Sequence, residues 1–303
     1  MWRYCMQHEL SHMKRVIWRV IQRIDDANLS FLQVLPKDYK RAMVRRLLSI
    51  LPKAYPDGMI EVAGVLFRLS GSDTAKLMYV TIQDGVAAYL RRHLAPGMTV
   101  IDVGANIGFH TVLAAKMVGP TGCVHAVEPT KETVVELRKN VQLNRLSNVM
   151  VYPCAAGTAT GETTFYVRGG HGAQNSLFSD HLDRPVLSTH LVAIRRLDDL
   201  IQGPADIVKI DVEGGELEVL MGMERIRAEN PKLRMVLEWC PVMQENTGHG
   251  PTQLPETLLA LGFEVDIISP FTAPLRSVAD IHAILPKVIG QRAHMVDIAA
   301  ARG

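Results

Sequence analysis

The chain has 303 residues, 48% of them hydrophobic, with 33 Lys/Arg against 31 Asp/Glu. That composition excludes a disordered or collagen-like chain, and cysteines scattered at positions 5, 123, 154 and 240 fit neither a disulfide framework nor a zinc site. The near-neutral total hides an asymmetry: residues 1–53 carry eleven Lys/Arg and four Asp/Glu, the remainder 22 and 27.

The basic part comes first. Met13, Val16, Ile17, Val20, Ile21 and Ile24 recur at helical spacing, with Lys14, Arg15, Arg19 and Arg23 on the other face. Pro36 introduces a second helix to about Leu51, which Pro52 and Pro56 stop. Residues 1–58 are thus expected to form a basic helical extension, more often a solvated cap than a contact for an anionic membrane surface, and a nucleic-acid partner is not expected. No apolar window reaches the ~20 residues that cross a bilayer, and no secretory signal is evident, so a cytoplasmic location is expected.

Residues 59–290 are expected to be one domain with its core at 84–285, and 291–303 a tail. Met59–Leu69 and Leu77–Ile82 read as short strands around a turn at Gly71, and Asp84–Leu94 as a helix. From there strands and helices alternate, which predicts a parallel sheet covered on both faces. Strands are expected near 98–103, 122–127, 148–153, 206–211, 233–239 and 263–268. Helices fall at 107–118, 130–145, 214–227 and 253–261. Two further strands, 161–167 and 185–194, form a detour, and a last strand at 280–285 closes the sheet.

The chemistry begins at Val100-Ile-Asp-Val-Gly-Ala-Asn-Ile-Gly-Phe-His110, followed by Val124-His-Ala-Val-Glu-Pro129. A β-branched run ends in a two-glycine turn and opens a helix, and about twenty residues on a second run ends in an acid. A dinucleotide fingerprint requires glycine where Asn106 and Phe109 stand, because a pyrophosphate approaches the backbone closely. A phosphate-free nucleoside joined to an amino acid through sulfur has no such need, and Glu128 can accept both of its ribose hydroxyls. The pattern therefore favours S-adenosylmethionine over NAD. An NAD-dependent oxidoreductase and a non-catalytic scaffold that binds the same cofactor are the competing readings.

The fourth strand ends in Val208-Lys-Ile-Asp-Val-Glu-Gly-Gly-Glu216. Spacing of two places Lys209, Asp211 and Glu213 on one side of an extended strand, at the sheet edge where ligands bind. Lys209 between carboxylates is expected to stay charged as an anchor, with Asp211 beside the reacting centre. Glu216 and Glu218 read as helix-start and solvated residues, while Glu238 ends strand five facing either an acceptor or solvent. His110, His171 and His249 are candidate bases, His171 favoured by its polar loop. The spacing demands no metal. Cys154 follows Pro153 after the third strand, where it reads as a small buried residue. An Asp/Asn-Pro-Pro-aromatic motif of nucleic-acid amino methyltransferases is replaced here by Lys-Ile-Asp-Val-Glu-Gly.

Together Ile101-Asp-Val-Gly-Ala-Asn-Ile-Gly108, Val127-Glu-Pro129, Arg196-Leu-Asp-Asp-Leu200 and Val208–Glu216 resemble, in order and spacing, the FkbM family of S-adenosylmethionine-dependent methyltransferases. The resemblance covers roughly residues 84–285. It implies a class I methyltransferase fold, a Rossmann-like α/β sheet of seven mostly parallel strands. It also implies methyl transfer to a hydroxyl of a saccharide, glycolipid or natural-product acceptor. Asp102, Gly104, Ala105, Asn106, Gly108, Glu128 and Asp211 would form the cofactor site, with Asp211, Lys209 and His171 as the catalytic candidates. The acceptor's identity and the oligomeric state stay open.

Overall fold

A computed structural model describes residues 59–62, 65–68, 85–168, 176–178, 186–291 and 295–302. The two basic helices, the strand expected at 77–82 and His171 lie outside them. The chain divides into two units, Met1–Asp84 and Gly85–Gly303. Within the first unit, β1 (Met59–Val62) and β2 (Val65–Arg68) pair antiparallel, where the sequence reads as one strand. Val65 and Phe67, two apart, are buried as strand alternation requires.

The second unit is built on an eight-stranded sheet. It contains β3 (Thr99–Val103), β4 (Cys123–Val127), β5 (Val149–Tyr152), β9 (Ile207–Ile210), β10 (Arg234–Trp239), β11 (Glu264–Ser269), β12 (Ala273–Leu275) and β13 (Val296–Ala301). Their order is β12-β11-β13-β10-β9-β3-β4-β5. β5, β4, β3, β9 and β10 are mutually parallel, and β13 inserts antiparallel between β10 and β11. Seven strands in this order make the class I methyltransferase sheet, and three-residue β12 extends its edge. The detour forms a separate three-stranded sheet from β6 (Ala155–Ala156), β7 (Gly161–Arg168) and β8 (Val186–Arg195).

Central strands carry apolar side chains on both faces because both are covered. All four residues of β9 are buried. On one face α1 (Gly85–His93) packs Val86 and Leu90 against Ile207 and Val236. The other face holds the main core, including Ile101, Val103, Ile210, Leu237 and Trp239. The indole N–H of Trp239 donates to the Pro251 carbonyl at 2.9 Å, so its one polar atom is satisfied.

Three expectations are corrected. Residues 280–285 lie inside a helix, α9 (Val278–Ile289), which opens with a reciprocal capping box between Ser277 and Asp280. The strand that closes the sheet is β13, in the segment expected to be a tail. The helix expected at 214–227 is two short ones, α5 (Glu216–Met221) and α6 (Glu224–Glu229). They part at Gly222, where a Cβ would stand 2.1 Å from the Gly157 carbonyl oxygen.

Candidate functional site

The carboxyl ends of β3, β4 and β9 meet where the strand order reverses, the usual ligand crevice of an open α/β sheet. The β3 turn is built on three left-handed residues, Gly104 (φ 73°), Asn106 (φ 51°) and Gly108 (φ 94°). Gly104 is sterically required as well, since a Cβ there would lie 1.9 Å from the Asp211 carbonyl oxygen. Backbone N–H groups of Gly104 and Ala105 both donate to the Val127 carbonyl, at 3.0 and 3.1 Å. Asn106 donates its backbone N–H to Glu128 Oε2 at 3.0 Å, while its side-chain Oδ1 accepts from the Ile107 N–H at 2.7 Å. Gly108 caps α2 (Phe109–Val118).

Glu128 lies just beyond β4 and is 7% exposed. Its Oε1 accepts from the Thr130 N–H at 2.9 Å, ahead of α3 (Lys131–Leu143). Burial pushes its carboxyl above the usual range, against the pull of the Thr130 and Asn106 N–H groups and of Lys209. A carboxylate offers about four acceptor positions. Two are filled by backbone N–H groups and the Thr130 side chain adds a third hydrogen bond, so a further O–H donor would relieve the burial penalty. That arrangement fits a vicinal diol.

Asp102 and Lys209 lie beneath the turn. The Lys209 ammonium is 3.3 Å from Asp102 Oδ1 and 3.3 Å from Asp211 Oδ2, and donates to the Gly104 carbonyl at 2.9 Å. Burial alone would lower its pKa, but Asp211 and Asp102 outweigh it and hold the charge well above neutral pH. Asp102 Oδ2 accepts from the Thr111 hydroxyl. Lys209 and Asp211 thus come together as expected, whereas Glu213 does not continue the row: β9 ends at Ile210, and Glu213 turns left-handed at φ 57°. Asp102, a strand away, supplies the second carboxylate.

Glu216, expected simply to start a helix, is 2% exposed, and its Oε1 accepts from the N–H groups of Val212 and Gly214 at 3.1 and 3.2 Å. Burial raises its pKa to about 7 despite those donors. Glu218 is not freely solvated but pairs with His249 Nε2 at 2.6 Å, which commits that histidine. His110 follows Phe109, their rings edge-on with centroids 5.1 Å apart. The Cys154 thiol is pushed up to about 11 by burial, against a weaker opposing pull from Arg195, so it is a packed side chain and no nucleophile. Among the described residues, no group of three His, Cys, Asp or Glu side chains is arranged to hold a metal ion. No described helix is long and apolar enough to cross a membrane.

The family model described as the Methyltransferase FkbM domain matches residues 102–265. Methyltransferase 1 of Beauveria bassiana is 28% identical over 145 residues, covering 41% of this chain and 58% of that protein. The 31-O-demethyl-FK506 methyltransferase FkbM of Streptomyces tacrolimicus is 33% identical over 181 residues, covering 49% of this chain and 68% of that one. The crystal structure of Methyltransferase FkbM from Methylobacillus flagellatus KT is 16% identical with a TM-score of 0.42, covering 75% of this chain and 53% of that chain. This chain therefore spans little more than half the length of the Beauveria relative. With the matched segment running from Asp102 in β3 to Val265 in β11, the chain belongs to the FkbM methyltransferase family.

Proposed function

We propose that this protein is an S-adenosylmethionine-dependent methyltransferase that methylates a hydroxyl oxygen of a saccharide, glycolipid or natural-product acceptor. The observation that carries the reading is Glu128, buried at the end of β4 and aimed by two backbone N–H groups, with acceptor capacity left for a ribose diol. Charge supports it. The same sheet edge carries Asp211, Glu213, Glu238 and Asp297, a rim of carboxyl groups that suits a sulfonium and an ammonium and disfavours a pyrophosphate. Asn106 works in the same direction, because its side chain occupies the Ile107 N–H that a pyrophosphate would use.

When bound, the cofactor supplies an electrophilic methyl group. Glu128 orients the ribose, and the turn from Gly104 to Gly108 shapes the wall beside it. Lys209 is the anchor, tying that turn through the Gly104 carbonyl to β9. Asp211, with a side chain 40% exposed, faces the cationic end of the ligand and fixes its direction. Alignment of the acceptor oxygen behind the methyl carbon then provides most of the acceleration. The name of the Streptomyces relative states an O-demethyl acceptor, which supports a hydroxyl for this chain as well.

Calorimetric titration with S-adenosylmethionine, with NAD as control, tests the reading. Saturable binding of the first alone is expected. Binding of NAD alone would overturn it.

A further inference from the structure

Glu238, one residue before the end of β10, enters the scheme above only as part of an acidic rim. Register pairs it with Asp297 on β13, and pairs the preceding Leu237 with Ile210 on β9. The next residue after Ile210 is Asp211, so Asp211, Glu238 and Asp297 stand side by side at one edge of three adjacent strands. Strands stand ~4.8 Å apart, and residues in register share a face, so three carboxyl groups form a row. Glu238 Oε2 is completely buried and has no hydrogen-bond partner among the described residues. Nearby Lys209 is committed to Asp102, Asp211 and the turn carbonyls.

Among the described residues, the charged groups that act most strongly on Glu238 are acidic. They are Asp211 and Glu213 in the turn after β9, Glu216 on α5 and Asp297 on β13. The Cys240 thiol, two residues on, is itself pushed up by burial and by Glu216 and Glu213. α1 meets Asp297 through Gly85, and its first turn, Gly85 to Ala88, carries no titratable side chain. Burial first, and then these four carboxyl groups, push the Glu238 pKa well above the usual carboxylate range. A buried oxygen without a donor, between like charges, has nothing to stabilise its ionised form.

We propose that Glu238 exchanges its proton for a bound cation, and so makes the site prefer the sulfonium cofactor to its neutral thioether product. The inference rests on the methyltransferase reading. Glu238 is neutral in the free protein and ionised when positive charge occupies the rim. Methyl transfer forms an O–C bond and breaks the C–S bond, whose electron pair stays on sulfur, and frees one hydroxyl proton. Glu238 is then in position to take that proton back, as the positive charge disappears.

The test is calorimetric titration of the protein with S-adenosylmethionine and with S-adenosylhomocysteine, between pH 6 and 8 and in two buffers of unequal ionisation heat. Wild-type protein is expected to release protons on binding the sulfonium and fewer on binding the thioether. The affinity ratio of the two should rise with pH. In Glu238→Gln the ratio should fall about tenfold and lose its pH dependence, and since both ligands share the rest of the site, general damage cancels from the ratio. Asp297→Asn, which keeps Glu238 but removes a like charge, should give a smaller proton release. Equal release for both ligands, or a pH-dependent ratio surviving in Glu238→Gln, would overturn the assignment. Failure of the wild-type protein to bind S-adenosylmethionine would instead strike the methyltransferase reading, and this inference with it.

Discussion

Lys209 and Asp102 stand on neighbouring parallel strands with Nζ 3.3 Å from Oδ1, and both are almost wholly buried. Removing one partner of a buried pair leaves an uncompensated charge, at about 3–5 kcal/mol. Lys209→Met is expected to lose that much stability in urea unfolding. Adding Asp102→Asn should recover part of it, because the stranded charge is gone. A loss below about 1 kcal/mol in the single variant would show that the pair is not holding the turn.

Glu128→Ala should weaken S-adenosylmethionine binding by about 1–3 kcal/mol, the range for leaving polar groups without their partner. The Asn106 and Thr130 N–H groups lose their acceptor at the same time, so the turn should loosen as well. Calorimetry gives the affinity, and hydrogen exchange at Asn106 reports the turn. Unchanged affinity would remove the ribose assignment.

Gly104→Ala meets two obstacles, a left-handed φ of 73° and a carbonyl oxygen 1.9 Å from the new Cβ. Gly203→Ala has the first alone: φ is 93°, but nothing lies within 4 Å. The Gly203 variant should cost about 1–2 kcal/mol from backbone strain. The Gly104 variant should cost clearly more and abolish cofactor binding, since Asp211 must move. Thermal unfolding of the two, side by side, separates strain from collision.

Glu216 links pH to stability. Its pKa rises from 4.5 to about 7 on folding, so between those values the folded state binds more protons than the unfolded one. Its contribution is therefore complete below about pH 4.5 and lost as pH rises through about 7, a change on the order of 3 kcal/mol. Glu216→Gln keeps an oxygen for the Val212 and Gly214 N–H groups but cannot ionise. Its stability relative to wild type should therefore improve from pH 4.5 to 7.5. A constant difference between the two proteins across that range would disprove the linkage.

The parallel half of the sheet was legible because each buried strand is a short β-branched run bounded by turn residues, as at Val100–Val103 and Ile207–Ile210. The antiparallel end was not. Asp280-Ile-His-Ala-Ile-Leu285 is a short apolar run, which periodicity cannot assign to strand or helix. Ser277 and Asp280, three apart, were the missed sign of a helix start. Val296–Ala301 contains three alanines, poor strand formers, and is a strand because β10 and β11 supply hydrogen bonds on both sides. At the site, Glu128, Asp211 and the glycine turn follow from spacing within single loops. The Asp102–Lys209 pair depends on register between strands more than a hundred residues apart, and the surroundings of Glu216 and of the Glu238 Oε2 atom depend on what packs over them. Neither is written in local sequence.

The position of β13 has a consequence for synthesis. It fills the gap between β10 and β11, so the edges of both stay open until the last residues of the strand, near Ala301, leave the ribosome. At about 5–20 residues per second the nascent chain presents those unpaired edges for seconds after β11 has emerged. Open edges recruit other strands. Arg234 and Glu264, charged residues at the starts of β10 and β11, are placed to deter such pairing in that interval. The sheet forms as a cradle that the later strand β13 seals, and that seal also brings Asp297 to the row beside Glu238.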